Sequence, residues 1–233
     1  MALQAPLRIP LLASNAWLIP AGDGVVLVDV GVPGMAGRLF GALARHGVRP
    51  GAIRLIVVSH VHYDHVGSLR AVQARSGAPV MVHAVEAGLL AQGRVVVPGG
   101  TNLYGRAATT LLKGMVRALP VRLAPCQAEH IVSGGDSLAD FGLEARVLHT
   151  PGHTAGSITV LCSNGDAVVG DLAVNHYPLG RGPIYPPFAD DGQAVYASWR
   201  RLLEAGAARI YPGHGTPFPA GRLREKLAHV RPG

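Results

Sequence analysis

An α/β core is the fold class that this sequence predicts, and three observations predict it. Short apolar runs alternate with longer stretches of helical periodicity, strand then helix then strand. Glycine-rich turns punctuate the ends of the apolar runs. Histidine and aspartate gather just past several of those ends, where α/β folds place their reactive groups.

Taken in order, Asn15 to Pro20 and Val25 to Val30 read as strands joined by the turn Gly22-Asp23-Gly24, a hairpin signal. Met35 to His46 has helical spacing, and Gly47 stops it. Ile53 to Val58 is a continuous apolar run and therefore a buried strand. Gly67 to Arg75 reads as the following helix and Pro79 to Val82 as the next strand. From Ala84 to Cys126 the character changes to short helical patterns, the breaker-rich Val97 to Asn102 and an amphipathic stretch from Tyr104 to Leu119. This region reads as a variable helical insertion or lid over a pocket, with a plain helical layer as the other reading. Strands resume at Glu129 to Val132, Leu143 to Leu148, Ile158 to Cys162 and Ala167 to Val169. Gln193 to Ala205 is helical, Arg209 to Tyr211 a last short strand, and Leu223 to Val230 a terminal helix. No low-complexity linker interrupts residues 1–233, so one domain is expected, and each half running from strands to helix hints at a duplicated sandwich.

Composition excludes several function classes. The 233 residues are 48% hydrophobic and 15% charged, which describes a chain with a large core rather than a disordered one. Cys126 and Cys162 form neither a disulfide framework nor a zinc-ribbon spacing, and Cys162 ends an apolar strand as a buried small hydrophobe would. A reducing, cytoplasmic setting follows as the expectation. Ile9 to Ala13 is too short and proline-broken for a signal core, and no stretch reaches the roughly 20 apolar residues of a membrane span. The net charge is +7, carried by arginine apart from Lys113 and Lys226, yet no basic run exceeds two residues and aromatics are 5%. The excess charge could attract an anionic substrate, but the pattern argues against a nucleic-acid partner, and a small-molecule substrate is the expectation.

The chemistry concentrates in His60-Val61-His62-Tyr63-Asp64-His65, directly after the buried run Leu55 to Val58. Four metal-binding side chains within six residues suit zinc or iron, because imidazole with carboxylate is a softer set than the all-oxygen shells of magnesium and calcium. In an extended segment His60 and His62 point the same way, while Asp64 and His65 lie past the strand end and can face a second ion. Three later segments repeat the design of strand end, glycine turn and ligand-type side chain: His149 to Gly156, Gly170-Asp171, and Tyr211 to Gly215.

HVHYDHVGS, HTPGHTAGS, GD and YPGHG, in this order and spacing, resemble the motifs of the metallo-β-lactamase superfamily, and NAWLIPAGDGVVLVDVG resembles its first hairpin. The resemblance covers most of the chain. It implies a four-layer αββα sandwich with a dinuclear site at one edge of the sheets. Carried over by position, His60, His62 and His153 would hold one metal, Asp64, His65 and His214 the second, and Asp171 would bridge them. Two divalent transition metals are the implied cofactors, zinc first, with iron or manganese according to supply. A hydroxide generated there would attack a carbonyl carbon, and Asp64 is placed to shuttle a proton. Asp29 is a candidate acceptor for a ligand imidazole N–H, His149 a candidate outer-shell or packing residue, and His176 and Tyr177 candidates for substrate contact. His83 reads as structural or as a pocket-rim residue. Members of the family often dimerise, so a homodimer stays open.

Departures from subfamily patterns narrow the substrate. Zinc β-lactamases lack a bridging aspartate, which Asp171 would supply. Glyoxalase II shares HTPGHT but carries a long C-terminal helical segment, whereas 19 residues follow His214 here. Persulfide dioxygenases hold one iron and carry a Gly-Arg-Thr-Asp-Phe signature, where this chain has Gly180-Arg181-Gly182-Pro183-Ile184. Quorum-quenching lactonases place a tyrosine three residues after the bridging aspartate, and that position is Val174. Nuclease relatives add an arm or domain with no obvious counterpart. The expectation is a glyoxalase II-like hydrolase of an ester, thioester or lactone, with the iron dioxygenase and the lactonase as alternatives.

Overall fold

Two β-sheets packed face to face carry the structure, a computed structural model that describes residues 5–118, 122–175 and 185–230. The first sheet runs in chain order: β1 (Leu7–Leu11), β2 (Ser14–Ala21), β3 (Gly24–Val28), β4 (Ile53–Val57), β5 (Val80–His83) and β6 (His130–Val132). Its first two pairings are antiparallel and the next three parallel. The second contains β7 (Ala145–His149), β8 (Ile158–Cys162), β9 (Asp166–Gly170), β10 (Arg209–Pro212) and β11 (Phe218–Pro219), in the spatial order β11-β10-β9-β8-β7. The chain passes from one sheet to the other once, between β6 and β7. Each half therefore builds its own sheet, as the strands-to-helix pattern of the two halves suggests.

Alternation along each strand sorts the core into layers. Trp17, Ile19, Val26, Val28, Leu55 and Val57 point inward from the first sheet and meet Val147, Ile158, Val160, Cys162 and Val168 of the second. The opposite face of the first sheet, with Leu18, Leu27, Ile56 and Val80, packs on α1 (Ala36–Arg45) and α3 (Leu69–Ser76). Leu161, Ala167 and Val169 on the outer face of the second pack on Trp199 and Leu202 of α6 (Gly192–Glu204) and Leu223 of α7 (Gly221–Leu227). This is the helix–sheet–sheet–helix order expected from the sequence.

Three differences from the sequence reading have local causes. β1 goes unread because Pro10 interrupts its apolar pattern, but β1 is an edge strand, where a missing N–H costs no ladder bond. The strand expected at Leu143 to Leu148 starts instead at Ala145, since Leu143 folds back to donate its N–H to Leu138 O. Tyr63 to Val66, expected as a loop, forms the one-turn helix α2 (Tyr63–Val66) before α3. The stretch from Ala84 to Cys126 contains α4 (Ala84–Gln92) and α5 (Leu103–Ala118) around an irregular segment. No described helix is long and apolar enough to cross a membrane.

Cys162 sits fully inside the inter-sheet core, and burial pushes its thiol up to about 12. Burial also raises Cys126, whose thiol donates to Gln73 Oε1 at 3.2 Å. Alkylation proceeds through the thiolate, of which a group at this value holds about one part in ten thousand at pH 8. Iodoacetamide at pH 8 is therefore expected to leave Cys162 of the folded protein unmodified and to label both cysteines in guanidinium. Rapid labelling of Cys162 in the native state, read by mass spectrometry, would contradict this packing.

Candidate metal centre

Four segments that follow strand ends converge at one edge of the sandwich: the segment after β4, the loop after β7, the residue after β9 and the loop after β10. His60 and His62 do not lie in an extended strand, because the chain turns back on itself with His62 N–H donating to His60 O at 3.2 Å. They nevertheless converge on His153. His153 Nε2 lies 3.2 Å from His60 Nε2 and 2.9 Å from His62 Nδ1. The three rings stand nearly perpendicular to one another, with interplanar angles of 80 to 88°. Tetrahedral ligation with bonds near 2.1 Å places neighbouring nitrogens about 3.4 Å apart, so the spacing suits one ion of zinc's size.

A second set adjoins the first. His214 Nε2 lies 3.2 Å from Asp64 Oδ2, and His65 Nε2 lies 3.6 Å from the same oxygen. Asp171 reaches both sets: Oδ1 is 3.4 Å from His65 Nε2, and Oδ2 is 3.1 Å from His214 Nε2 and 3.7 Å from His153 Nε2. The donor groups His60/His62/His153, His60/His65/Asp171 and Asp64/His65/His214 each have atoms close enough to share an ion. All seven side chains named from the motifs are thus brought together.

Protonation separates the two sets. Burial, reinforced by neighbouring imidazoles, holds His60 well below its ordinary value and His62 at about 3, and burial also lowers His153. These rings stay neutral, with lone pairs facing inward. Burial also opposes protonation of His65 and His214, but Asp171 and Asp64 outweigh it, raising His65 well above its usual value and His214 to about 10. His65 and His214 in turn keep both carboxyls well below the carboxylate range against the effect of burial. His65 Nε2 and Asp171 Oδ1 are buried without a hydrogen-bond partner, as is His62 Nε2. Converging lone pairs and an orphaned carboxylate oxygen form a donor set that fits divalent transition ions.

Outer residues fix which nitrogen faces inward. Asp29 accepts from His65 Nδ1–H at 2.8 Å, from Ser59 Oγ–H at 2.7 Å and from Ser59 N–H at 2.8 Å. Ser59 Oγ in turn accepts from His60 Nδ1–H at 3.0 Å. One buried carboxylate therefore orients an imidazole of each set, from a residue held at φ 61°. His153 Nδ1–H donates to Phe188 O at 2.8 Å. Asn15 Nδ2 donates to Pro212 O at 3.0 Å and to Gly215 O at 2.9 Å, bracketing His214. Gly213 is required by close approach, since a Cβ there would stand 2.3 Å from Asp171 Oδ1.

Glu86, in the first turn of α4, is absent from the sequence reading. Its buried carboxylate accepts from Val61 N–H and Thr154 Oγ–H, and also from Gly156 N–H, so it joins the loop bearing His60 and His62 to the loop bearing His153. A Cβ on Gly156 would meet Glu86 Cγ at 2.5 Å. The available signal was a single carboxylate between Ala84 and Gln92, an otherwise uncharged helix. His149 is not brought to the cluster: its Nε2–H donates to Ala155 O at 2.8 Å and its ring stacks on His83 at 4.1 Å. The candidate substrate contacts His176 and Tyr177 lie outside the described residues. Val174, at the lactonase tyrosine position, is buried.

The sequence profile of the Metallo-beta-lactamase superfamily matches residues 9–214. The chain belongs to this superfamily. A probable metallo-hydrolase of Methanocaldococcus jannaschii is 28% identical over 206 residues, 87% of this chain and 88% of the relative. A Gallus gallus protein named an acyl-coenzyme A thioesterase is 27% identical over 226 residues, 90% of this chain and 75% of the relative. Among solved structures, a B3 metallo-beta-lactamase called BLEG-1 superposes with a TM-score of 0.70 at 23% identity, covering 94% of this chain and 96% of the other. The structural likeness speaks to the fold alone. The chain is a superfamily hydrolase of unassigned substrate, and its His/Asp cluster suits the divalent metals that the superfamily binds.

Outer partners of metal-bound imidazoles typically tune affinity by about 10- to 100-fold. Asp29→Asn is expected to weaken metal retention within that range, measured by competition with a chromophoric chelator. Glu86→Gln is expected to accelerate metal loss and also to lower the thermal transition of the metal-free protein, because its amide N–H cannot accept from Val61, Thr154 and Gly156. Retention equal to the parent in both variants would show that neither carboxylate positions the centre.

Proposed function

We propose that this protein is a dinuclear-metal hydrolase of ester, thioester or lactone bonds. The observation that carries the reading is Asp171, whose Oδ2 lies 3.1 Å from His214 of the second set and 3.7 Å from His153 of the first, while its Oδ1 lies 3.4 Å from His65. A carboxylate shared in this way favours two ions over one. His60, His62 and His153 would hold the first, Asp64, His65 and His214 the second, with Asp171 between them. Such ions supply Lewis acidity, lowering the pKa of bound water and polarising a carbonyl oxygen.

The protein's own groups do the rest. His60, His65 and His153 each have Nδ1–H committed to an acceptor, so Nε2 presents its lone pair to the centre. Asp64 keeps 27% of its side chain exposed, more than Asp171 or His214, and stands beside the centre. That position suits it to take a proton during attack on the carbonyl and return it to the departing alkoxide or thiolate. The thioester reading draws support from the relative named a thioesterase. Zinc is the first choice of metal, and the same donor set accepts iron or manganese.

Elemental analysis of protein purified without added metal is expected to find close to two ions per chain. The metal-replete enzyme should turn over members of a panel of acyl thioesters, aryl esters and lactones in preference to β-lactams and phosphodiesters. Asp171→Ala should lose at least one ion and reduce turnover by more than about a hundredfold, exceeding the effect of removing an outer partner. One iron per chain, with oxygen consumption on a persulfide, would replace this reading by an iron dioxygenase.

A further inference from the structure

Five of the nine large apolar side chains exposed among the described residues lie on α5: Leu103, Tyr104, Leu111, Leu112 and Met115. Tyr104 also meets the Phe188 ring, with centroids 6.4 Å apart, and small and polar contacts hold the helix to the body beside it. Gly105 has no room for a Cβ, which would meet Pro187 O at 2.0 Å, and buried Thr109 donates its hydroxyl to Pro98 O at 2.9 Å. A third side is cationic, with Arg106, Lys113 and Arg117 exposed at spacings of seven and four. Their own segment carries no carboxylate: residues 87–128 contain five Lys/Arg and no Asp or Glu.

We propose that α5 docks on an anionic lipid bilayer surface, with its apolar face in the headgroup–acyl boundary and its basic side chains on lipid phosphates. The combination of a 16-residue amphipathic helix, an exposed apolar face and a segment with basic but no acidic residues is what such a surface recognises. A second copy of the chain fits less well, because pairing α5 with α5 brings together two cationic rows with no carboxylates in their segments. An isolated acyl chain also fits less well, since an exposed helix face is convex and encloses nothing. That no described helix is long and apolar enough to cross a membrane has no bearing on a helix that lies along the interface. α5 is also linked to the metal centre. The segment leading into α5 pairs through Gly100 with Phe188, whose carbonyl accepts from His153 Nδ1–H at 2.8 Å. The inference is independent of which bond the enzyme cleaves.

The test is sedimentation of the full-length protein with phosphatidylcholine vesicles, with and without phosphatidylglycerol, at low and high salt. Binding is expected only with phosphatidylglycerol, weakening as salt rises. Lys113→Gln and Arg117→Gln should each lower vesicle affinity roughly fivefold. Leu111→Asp with Met115→Asp should abolish binding while hydrolysis of a soluble ester and the far-UV spectrum stay as in the parent. Equal binding to neutral vesicles, no binding to either, or binding unaffected by both variant pairs would overturn the proposal. A dimer that Leu111→Asp with Met115→Asp converts to monomer would assign the face to a second copy instead.

Discussion

Five imidazoles and two carboxylates gather at one edge of the sandwich, and hydrogen bonding within the protein does not satisfy them all. A buried ionic group without a partner costs several kcal/mol, so such a cluster persists only where an ion or proton completes it. Protons can complete half of it: Asp64 and Asp171 draw them onto His65 and His214. They cannot complete the other half, where burial keeps His60, His62 and His153 neutral with nitrogens about one ligand spacing apart. Cations serve both halves, which is why the donor geometry and the electrostatics lead to the same reading. Every close glycine approach and outer hydrogen bond around the centre serves to hold this self-repelling arrangement in place.

The restraining bonds cross the seam between the sheets. Ile158 N–H at the start of β8 donates to Ser59 O at 2.9 Å, joining the segment after β4 to the second sheet. Asn15 of β2 grips the carbonyls of Pro212 and Gly215 around His214. Glu86 ties Val61 to Thr154 and Gly156. Trp17 Nε1–H donates to Pro212 O at 3.0 Å within the inter-sheet core, so packing and site geometry share a residue. Ligands supplied by both sheets make the relative placement of the sheets a condition for the centre. A large apolar interface between them supplies that rigidity.

The sequence is most legible where chemistry and periodicity coincide. His60 to His65 follow a buried apolar strand, and a glycine turn accompanies His153, Asp171 and His214, so residue type and position agree. It is least legible where a tertiary contact overrides a local pattern. Pro10 hides an edge strand whose unused N–H position makes proline harmless. For His149 the motif leaves open an outer-shell or a packing role, and only the structure shows its ring against His83 and its N–H on the carbonyl of Ala155. Glu86 escapes because its partners are backbone and hydroxyl groups of distant loops, which no local spacing marks. Asp29 is intermediate: its place at a strand end was visible, whereas its service to imidazoles of both sets depends on Ser59 lying between them.

The stretch from Ala84 to Cys126 divides along the same physical line. α4 is bound to the centre through Glu86, so its first turn is constrained by the metal loops. α5 is attached through Gly105, Thr109, the Tyr104–Phe188 ring contact and the Gly100–Phe188 bridge, contacts separate from those of Glu86. A helix attached apart from the metal ligands can carry a different outer surface without disturbing the centre. Its exposed apolar and cationic residues are therefore free to be set by what the protein approaches rather than by folding. Phe188 links the two regions, pairing with Gly100 ahead of α5 and accepting from His153 Nδ1–H at the metal centre.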